Sequence, residues 1–365
     1  MIISRFSILP PALAIGSMGI AGFMLTAENV AADTTCSASA EARFIESGED
    51  EYIYARYGNP TVRMFEDRIA AIEGTEDAFA TASGMAAVSG ALTSMLKAGD
   101  HVVSAKALFG SCLYILEEIL TRFGVDVTFV DGTDLDAWKA AVRDDTKAVF
   151  LESVSNPTLE VIDLKGVAEI AHAKGATVVV DNVFATPAFS KAAELGADVI
   201  VYSATKHIDG QGRCLGGVIC GTKEFIRKTA EPYLKHTGGS LSPFNAWVML
   251  KGLETMHLRC AAQAESALFI AEALEGHTKL DRTLYPYLDS HPQQAVAKEQ
   301  MGAGGPNNLG ARKSISTHRA ATTHQRLSVE QRAELGITDG LIRMSVGLED
   351  KADLLDDIRT ALDAV

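Results

Sequence analysis

An α/β fold built on a mostly parallel sheet, with a smaller α+β domain after it, is the class this sequence predicts. Three observations predict it. Short runs rich in Val and Ile are apolar throughout, as in strands buried on both faces. These runs alternate with segments of helical periodicity, the order that covers a parallel sheet on both sides. Several runs end in polar residues at their carboxyl ends, where open parallel sheets bind ligands.

In chain order the elements follow from local pattern. "ATASGMAAVSGALTSMLKAG" (80–99) reads as a short strand, then Ser83-Gly84, then an amphipathic helix. "HVVSA" (101–105) and "VDVTFV" (125–130) are strands, and "SCLYILEEILTRFG" between them carries Leu113, Ile115, Leu116 and Leu120 on one helical face. "KAVFLES" (147–153) leads through "LKGVAEIAHAKG", a helix closed by Gly175, to "ATVVVD" (176–181). "DVIVYS" (198–203) and "GGVIC" (216–220) complete the strands. After about residue 235 the pattern changes: "SPFNAWVMLKGLETMHLRCAAQAESALFIAEALEGH" reads as one long helix, and "EDKADLLDDIRTALDA" as a closing one. The expected division is an atypical N-terminal segment (1–37), a large domain (38–235) and a small domain (236–365), the last shortened near 301–308. The interface between the domains is a natural ligand site.

Composition narrows the partners. With 365 residues, 47% apolar and 22% charged, the chain suits a soluble globular protein. A net charge of −14 argues against nucleic acid and anionic membranes. The five cysteines, Cys36, Cys112, Cys214, Cys220 and Cys260, show no CxxC or metal spacing, so no metal is expected. Free thiols suit a reducing, cytoplasmic setting. The N-terminus, "MIISR" followed by "FSILPPALAIGSMGIAGFML", supports three readings: an export signal, an anchor or a non-native start.

The polar strand ends form one set. Each has an ordinary reading alone: Ser83 caps a helix, Asp181 caps the next segment, Asn156 precedes Pro157 in a turn, and Lys206 is a surface lysine. Together they match one ligand, a pyridine ring bearing a phosphate and an aldehyde. The phosphate needs an anion nest, supplied by Ser83, Gly84 and Met85 at a helix start with the hydroxyls of Ser203 and Thr205. The ring nitrogen needs a carboxylate, Asp181. The phenolic oxygen needs a donor, Asn156, and the aldehyde an amine, Lys206. One helix and one strand fit between Asp181 and Lys206, so adjacent strand ends can bear both. No GxGxxG follows the first strand, which weakens a dinucleotide-binding reading.

The motifs "YARYGNPT", "ASGMAA", "ESVSNPT", "DNVFATP", "YSATKHIDGQGR" and "IRMSVGLED" resemble, in order, those of the Cys/Met-metabolism family of fold-type I pyridoxal-phosphate enzymes. The resemblance runs from about Ala38 to the C-terminus. It implies the fold-type I transferase fold, pyridoxal 5'-phosphate as cofactor, Lys206 as its covalent anchor and proton carrier, and Asp181 as partner of the ring nitrogen. By motif, Asn156 would contact the ring oxygen and Phe109 would stack on the ring face. Tyr54 and Arg56 would reach the phosphate of a neighbouring subunit, making a homo-oligomer, dimer or tetramer, with shared active sites. Arg343 would bind the substrate α-carboxylate, with Asn308 near it.

"ATKHIDGQGR", "NVFATP" and "LFGSCLYI" resemble the branch that exchanges the succinyl ester of O-succinyl-L-homoserine for sulfide, giving L-homocysteine. Selectivity for that ester needs a further cation, for which Arg213 is a candidate. A cystathionine γ-synthase or methionine γ-lyase type of activity, and a catalytically impaired cofactor-binding homologue, are the alternatives. The shortened "MGAGGPNNLG" and the N-terminal 37 residues depart from the family pattern.

Overall fold

The computed structural model describes residues 52, 54–302, 304–306, 310–318, 332 and 337–364. The N-terminal segment 1–37 and Asn308 lie outside the described residues.

Seven strands form the central sheet: β1 (Asp77–Thr81), β2 (His101–Ala105), β3 (Asp126–Val130), β4 (Thr146–Glu152), β5 (Thr177–Asp181), β6 (Val199–Tyr202) and β7 (Gly217–Gly221). Their order is β1-β7-β6-β5-β4-β2-β3. The strands β6, β5, β4, β2 and β3 pair in parallel, while β7 runs antiparallel to both β1 and β6. The strand read from "GGVIC" is thus present but reversed, reached from β6 by the loop 203–216, which contains no crossover helix. The chain leaves β2 towards β3 and then crosses back to β4 on the other side. That reversal between β2 and β4 is where an open α/β sheet forms its crevice.

Both faces of the sheet are covered, as the continuous apolar runs require. Alternate residues Val103, Val149, Leu151, Val178, Val180 and Ile200 join one core with Phe65, Ile69, Trp138 and Leu164. Their neighbours Val102, Ala148, Phe150, Val179 and Val201 join the other, with Val88, Leu92, Leu116 and Leu120. Ile115, Leu116 and Leu120 are buried as the periodicity predicts, although Ile115–Leu120 winds as a π-helix. Gly175 takes the left-handed conformation (φ +71) just beyond the helix Leu164–His172.

The long helix expected after residue 242 is two. Pro243–Leu253 and Met256–Leu274 meet at a break around Glu254 and Thr255. The Gly252 carbonyl, which would continue the helical ladder, accepts from the Arg259 side chain (Nη2, 2.8 Å) and the Thr255 amide (3.3 Å). A Cβ at Gly252 would lie 2.1 Å from the Ile208 carbonyl oxygen, so the loop after β6 presses against the break. The second helix bridges two cores. Met256 and Cys260 belong to the large one, whereas Ile270 and Leu274 pack with Val346 and Leu355. Beyond them lies a two-stranded antiparallel sheet, β8 (Ile315–His318) with β9 (Ile342–Ser345). Among the described residues no helix is long and apolar enough to cross a membrane.

Candidate active site

The carboxyl ends of β4, β5 and β6 converge with two loops and with β9. Ser83 caps the helix Gly84–Thr93, its Oγ accepting from the Ala86 amide at 3.1 Å. The capping reading of Ser83 therefore holds, and it leaves the first-turn amides of Gly84 and Met85 without intrahelical acceptors. A Cβ at Gly84 would lie 2.6 Å from Ser203 Cβ and 2.8 Å from Ser203 Oγ. The start of this helix and the loop after β6 are thus in direct contact, and only glycine allows it. Thr205 is held by Gly216: its Oγ1 accepts from the Gly216 amide at 3.1 Å. The Lys206 amide donates to the Ser203 carbonyl at 3.0 Å, closing a turn that carries the lysine out of the strand.

Electrostatics single out the two central residues. Burial pushes the Asp181 carboxyl up to about 6, while the Val183 amide (3.0 Å) and the positive charge of Lys206 hold it down. Burial likewise draws the Lys206 ammonium below its ordinary range, partly offset by Asp181. A primary amine that loses its proton more readily than usual beside a carboxylate is suited to carbonyl and proton-transfer chemistry.

Arg343, on β9, is 7% exposed. Its Nη1 donates to Asn156 Oδ1, and its guanidinium lies 5.6 Å above the Phe184 ring centre. With Oδ1 taken, the Asn156 side chain has its NH2 left to donate. The Arg343 Nε is buried without a partner among the described residues. A buried, partly unsatisfied guanidinium is costly unless an anion completes it.

The sequence reading missed Glu152. It accepts the Phe109 amide on Oε1 (2.6 Å) and the Asn156 amide on Oε2 (2.9 Å). Burial, reinforced by Asp181, pushes its carboxyl well above the ordinary range. Its signal in the sequence is the same as that of Asp181, a carboxylate closing an apolar run, here in "KAVFLES" (147–153).

Tyr54 and Arg56 stand apart from this cluster. Arg56 donates to the Lys235 carbonyl and lies 4.8 Å from the Tyr57 ring centre, and Tyr54 is 56% exposed. Arg213 is committed elsewhere, with Nε on the buried Asp209 (2.8 Å) and Nη2 on the Asp209 and Val248 carbonyls. Two of its three nitrogens thus serve the loop, and only Nη1 is left over for a substrate carboxylate. Cys112, Cys214, Cys220 and Cys260 are free thiols.

The residues fit pyridoxal 5'-phosphate. The cradle at Gly84 and Ser203 leaves no room for a side chain and presents helix-start amides, a half-buried carboxylate stands near the lysine, and an incomplete guanidinium faces the same cluster.

Comparison with known proteins agrees. The sequence profile described as "Cys/Met metabolism PLP-dependent enzyme" matches residues 23–307 and 305–363. An O-succinylhomoserine sulfhydrylase of Mycobacterium tuberculosis is 48% identical, over 95% of this chain and 94% of that protein. One from Pseudomonas aeruginosa is 45% identical, over 90% and 88% respectively. A crystal structure from Campylobacter jejuni containing N'-pyridoxyl-lysine-5'-monophosphate superposes with a TM-score of 0.84 at 29% identity, covering 91% of this chain and 92% of that one.

Proposed function

Because the chain belongs to the Cys/Met metabolism family of PLP-dependent enzymes, we propose that it replaces the γ-succinyl group of O-succinyl-L-homoserine by sulfide, forming L-homocysteine and succinate. The preference for this member of the family rests on the 48% and 45% identities to two sulfhydrylases across nearly the whole chain. The observation that carries the chemistry is a half-buried Asp181 at the end of β5 beside Lys206, in the turn that follows the neighbouring strand β6.

Pyridoxal 5'-phosphate supplies, when bound, an electron sink that makes the protons next to an amino-acid nitrogen removable. The Gly84 and Met85 amides with the Ser203 and Thr205 hydroxyls would hold its phosphate. Asp181 would keep a proton on the ring nitrogen, Asn156 would donate to the ring oxygen, and Phe109 would cover one ring face. Lys206 would anchor the aldehyde carbon, and its Nζ would take and return substrate protons. Its weakened basicity suits that task near neutral pH. Arg343 offers its free Nε–H to the substrate α-carboxylate, and Asn308 belongs near the same group.

Tyr54 and Arg56 point to a homo-oligomer in which each subunit completes its neighbour's phosphate site. Four unpaired thiols support a cytoplasmic setting. A large domain over 38–235 and a small one over 236–365 frame the site.

Homocysteine formation from sulfide, with the succinyl and acetyl esters under matched conditions, tests the reaction. A site built for the second carboxylate should favour the succinyl ester by roughly ten- to hundred-fold. Preference for the acetyl ester would overturn the substrate assignment. Borohydride reduction and peptide mapping should place the label on Lys206, and a label elsewhere would remove it from the mechanism.

A further inference from the structure

Glu152 ends β4, and neither of its two hydrogen bonds belongs to the sheet or to a helix ladder. They fix the backbone at Phe109, in the loop after β2, and at Asn156 in the loop after β4. Its register partner on the parallel strand β5 is Asp181, so the two carboxyl groups project on one face of the sheet. Ligand atoms of Cys112, Glu152 and Asp181 lie within 4.8 Å of one another. Two carboxylates this close, out of water, do not both ionise cheaply. The other titratable or charged groups facing the pair are Cys112 from the helix after β2, Lys206 from the loop after β6, and Arg343 from β9 by way of Asn156.

Two features decide which carboxyl keeps the proton. Lys206 and the Val183 amide favour the charge on Asp181. Glu152 is wholly buried, with only its two amides to favour its charge and Asp181 to oppose it.

We propose that Glu152 is a positioning residue whose single neutral carboxyl group fixes the backbone of Phe109 and Asn156 and carries the one proton of the Glu152–Asp181 pair. Asp181 thereby stays ionised at neutral pH, and the two amides that set the ring-face and ring-oxygen contacts move together with it. The inference rests on the reading of Phe109, Asn156, Asp181 and Lys206 as cofactor contacts. That reading has its own test in the Lys206 label, so the two can fail separately.

Three variants of the full-length chain test the role. In E152Q the amide oxygen serves one N–H donor but the NH2 cannot accept the other, so pyridoxal 5'-phosphate should bind roughly ten-fold more weakly. E152D keeps the acid but is one methylene too short to reach both amides, and should show a similar loss. Unchanged binding in E152D would overturn the positioning role. Because glutamine is as neutral as a protonated glutamic acid, the acid limb of kcat/KM in E152Q should stay within half a pH unit, roughly, of the wild type. A fall of about one unit or more would mean that Glu152 carries a charge, and would overturn the proton assignment. Infrared difference spectra read the proton directly. Subtracting the E152Q spectrum from that of the wild type at pH 8 cancels the other buried acids, Glu66 among them, and should leave one protonated-carboxyl band; a difference spectrum without it would also overturn the assignment. D181N leaves Glu152 and both amide bonds in place while removing the neighbouring charge, so the titration of that band should move to lower pH. If E152Q does not fold, that measurement decides alone: no movement in D181N refutes the shared proton.

Discussion

At the scale of single residues, the site is a set of groups held away from their ordinary protonation. Asp181 is raised to about 6 chiefly by burial, and its proposed role needs the ionised form. Activity should therefore fall as pH drops through about 6, with the loss complete well below it, which a pH profile of kcat/KM will show. Asp181→Asn removes the charge without changing the shape. Turnover should drop by roughly a hundred-fold or more while Lys206 remains labelled by borohydride, since an amide cannot hold the ring nitrogen protonated. Near-normal turnover in that variant would take Asp181 out of the mechanism. Asn156 and Arg343 fix one another: the guanidinium takes Oδ1, which leaves the amide NH2 as the remaining donor. Glu152 was not singled out from sequence because its function lies in two backbone amides, and a string of residues does not say whose amide meets whose side chain.

Between elements, close approach matters more than propensity. Gly84 opens a helix, and its missing Cβ lets that helix start touch Ser203. Gly84→Ala would place a methyl 2.8 Å from Ser203 Cα, an atom that cannot swing aside. A loss of about 1–3 kcal/mol in denaturant unfolding is expected, together with weaker cofactor binding. The helix Pro60–Glu73 meets β1 through another buried acid: Glu66 accepts the Ala80 amide at 2.7 Å, and burial raises its carboxyl to about 8. A carboxyl raised in the folded state is protonated there when the unfolded chain is not. Its stabilising effect is full below about 4.5 and is lost as pH rises through about 8. Glu66→Gln keeps the acceptor and removes the titration. The decline in unfolding free energy between pH 6 and 9 should shrink by about 1 kcal/mol or more relative to the wild type. An identical decline would assign it to another group, of which Glu73, raised by burial to about 7 despite its bond from Tyr202, is the first to examine.

For the whole molecule, the proposed role of Tyr54 and Arg56 requires a second subunit. Their contacts within the chain are to Tyr57 and Lys235, on the flank of the sheet rather than among the groups around Lys206. Light scattering should show at least a dimer. If the sites are shared, mixing the inactive variants Arg56→Ala and Lys206→Ala should restore activity, because one site of each mixed dimer is intact. Random exchange sets the recovery at roughly a quarter of the wild type. No recovery after proven subunit exchange would place each site within one chain. The small sheet of β8 and β9 leaves Ile315 and Ile342 at 40% and 67% exposure, apolar surface that a second subunit is suited to cover.

The sequence by itself determined the class of fold and most of the proposed site. Continuous Val and Ile runs demand burial on both faces, and strand ends in a parallel sheet are places where polar residues meet a ligand. Both are local properties, so Ser83, Asn156, Asp181, Ser203, Thr205 and Lys206 could be read from short windows. Tertiary structure decided what depends on distant partners. It reversed β7, broke the helix at Glu254 and Thr255 where Arg259 takes the Gly252 carbonyl, and turned Arg213 away to Asp209. It brought Arg343 to Asn156 across 187 positions and closed both oxygens of Glu152 on amides of two different loops. Each of these is a hydrogen bond or ion pair between segments that only the packed sheet brings together. Such bonds have no period and no spacing along the chain by which they could have been foreseen.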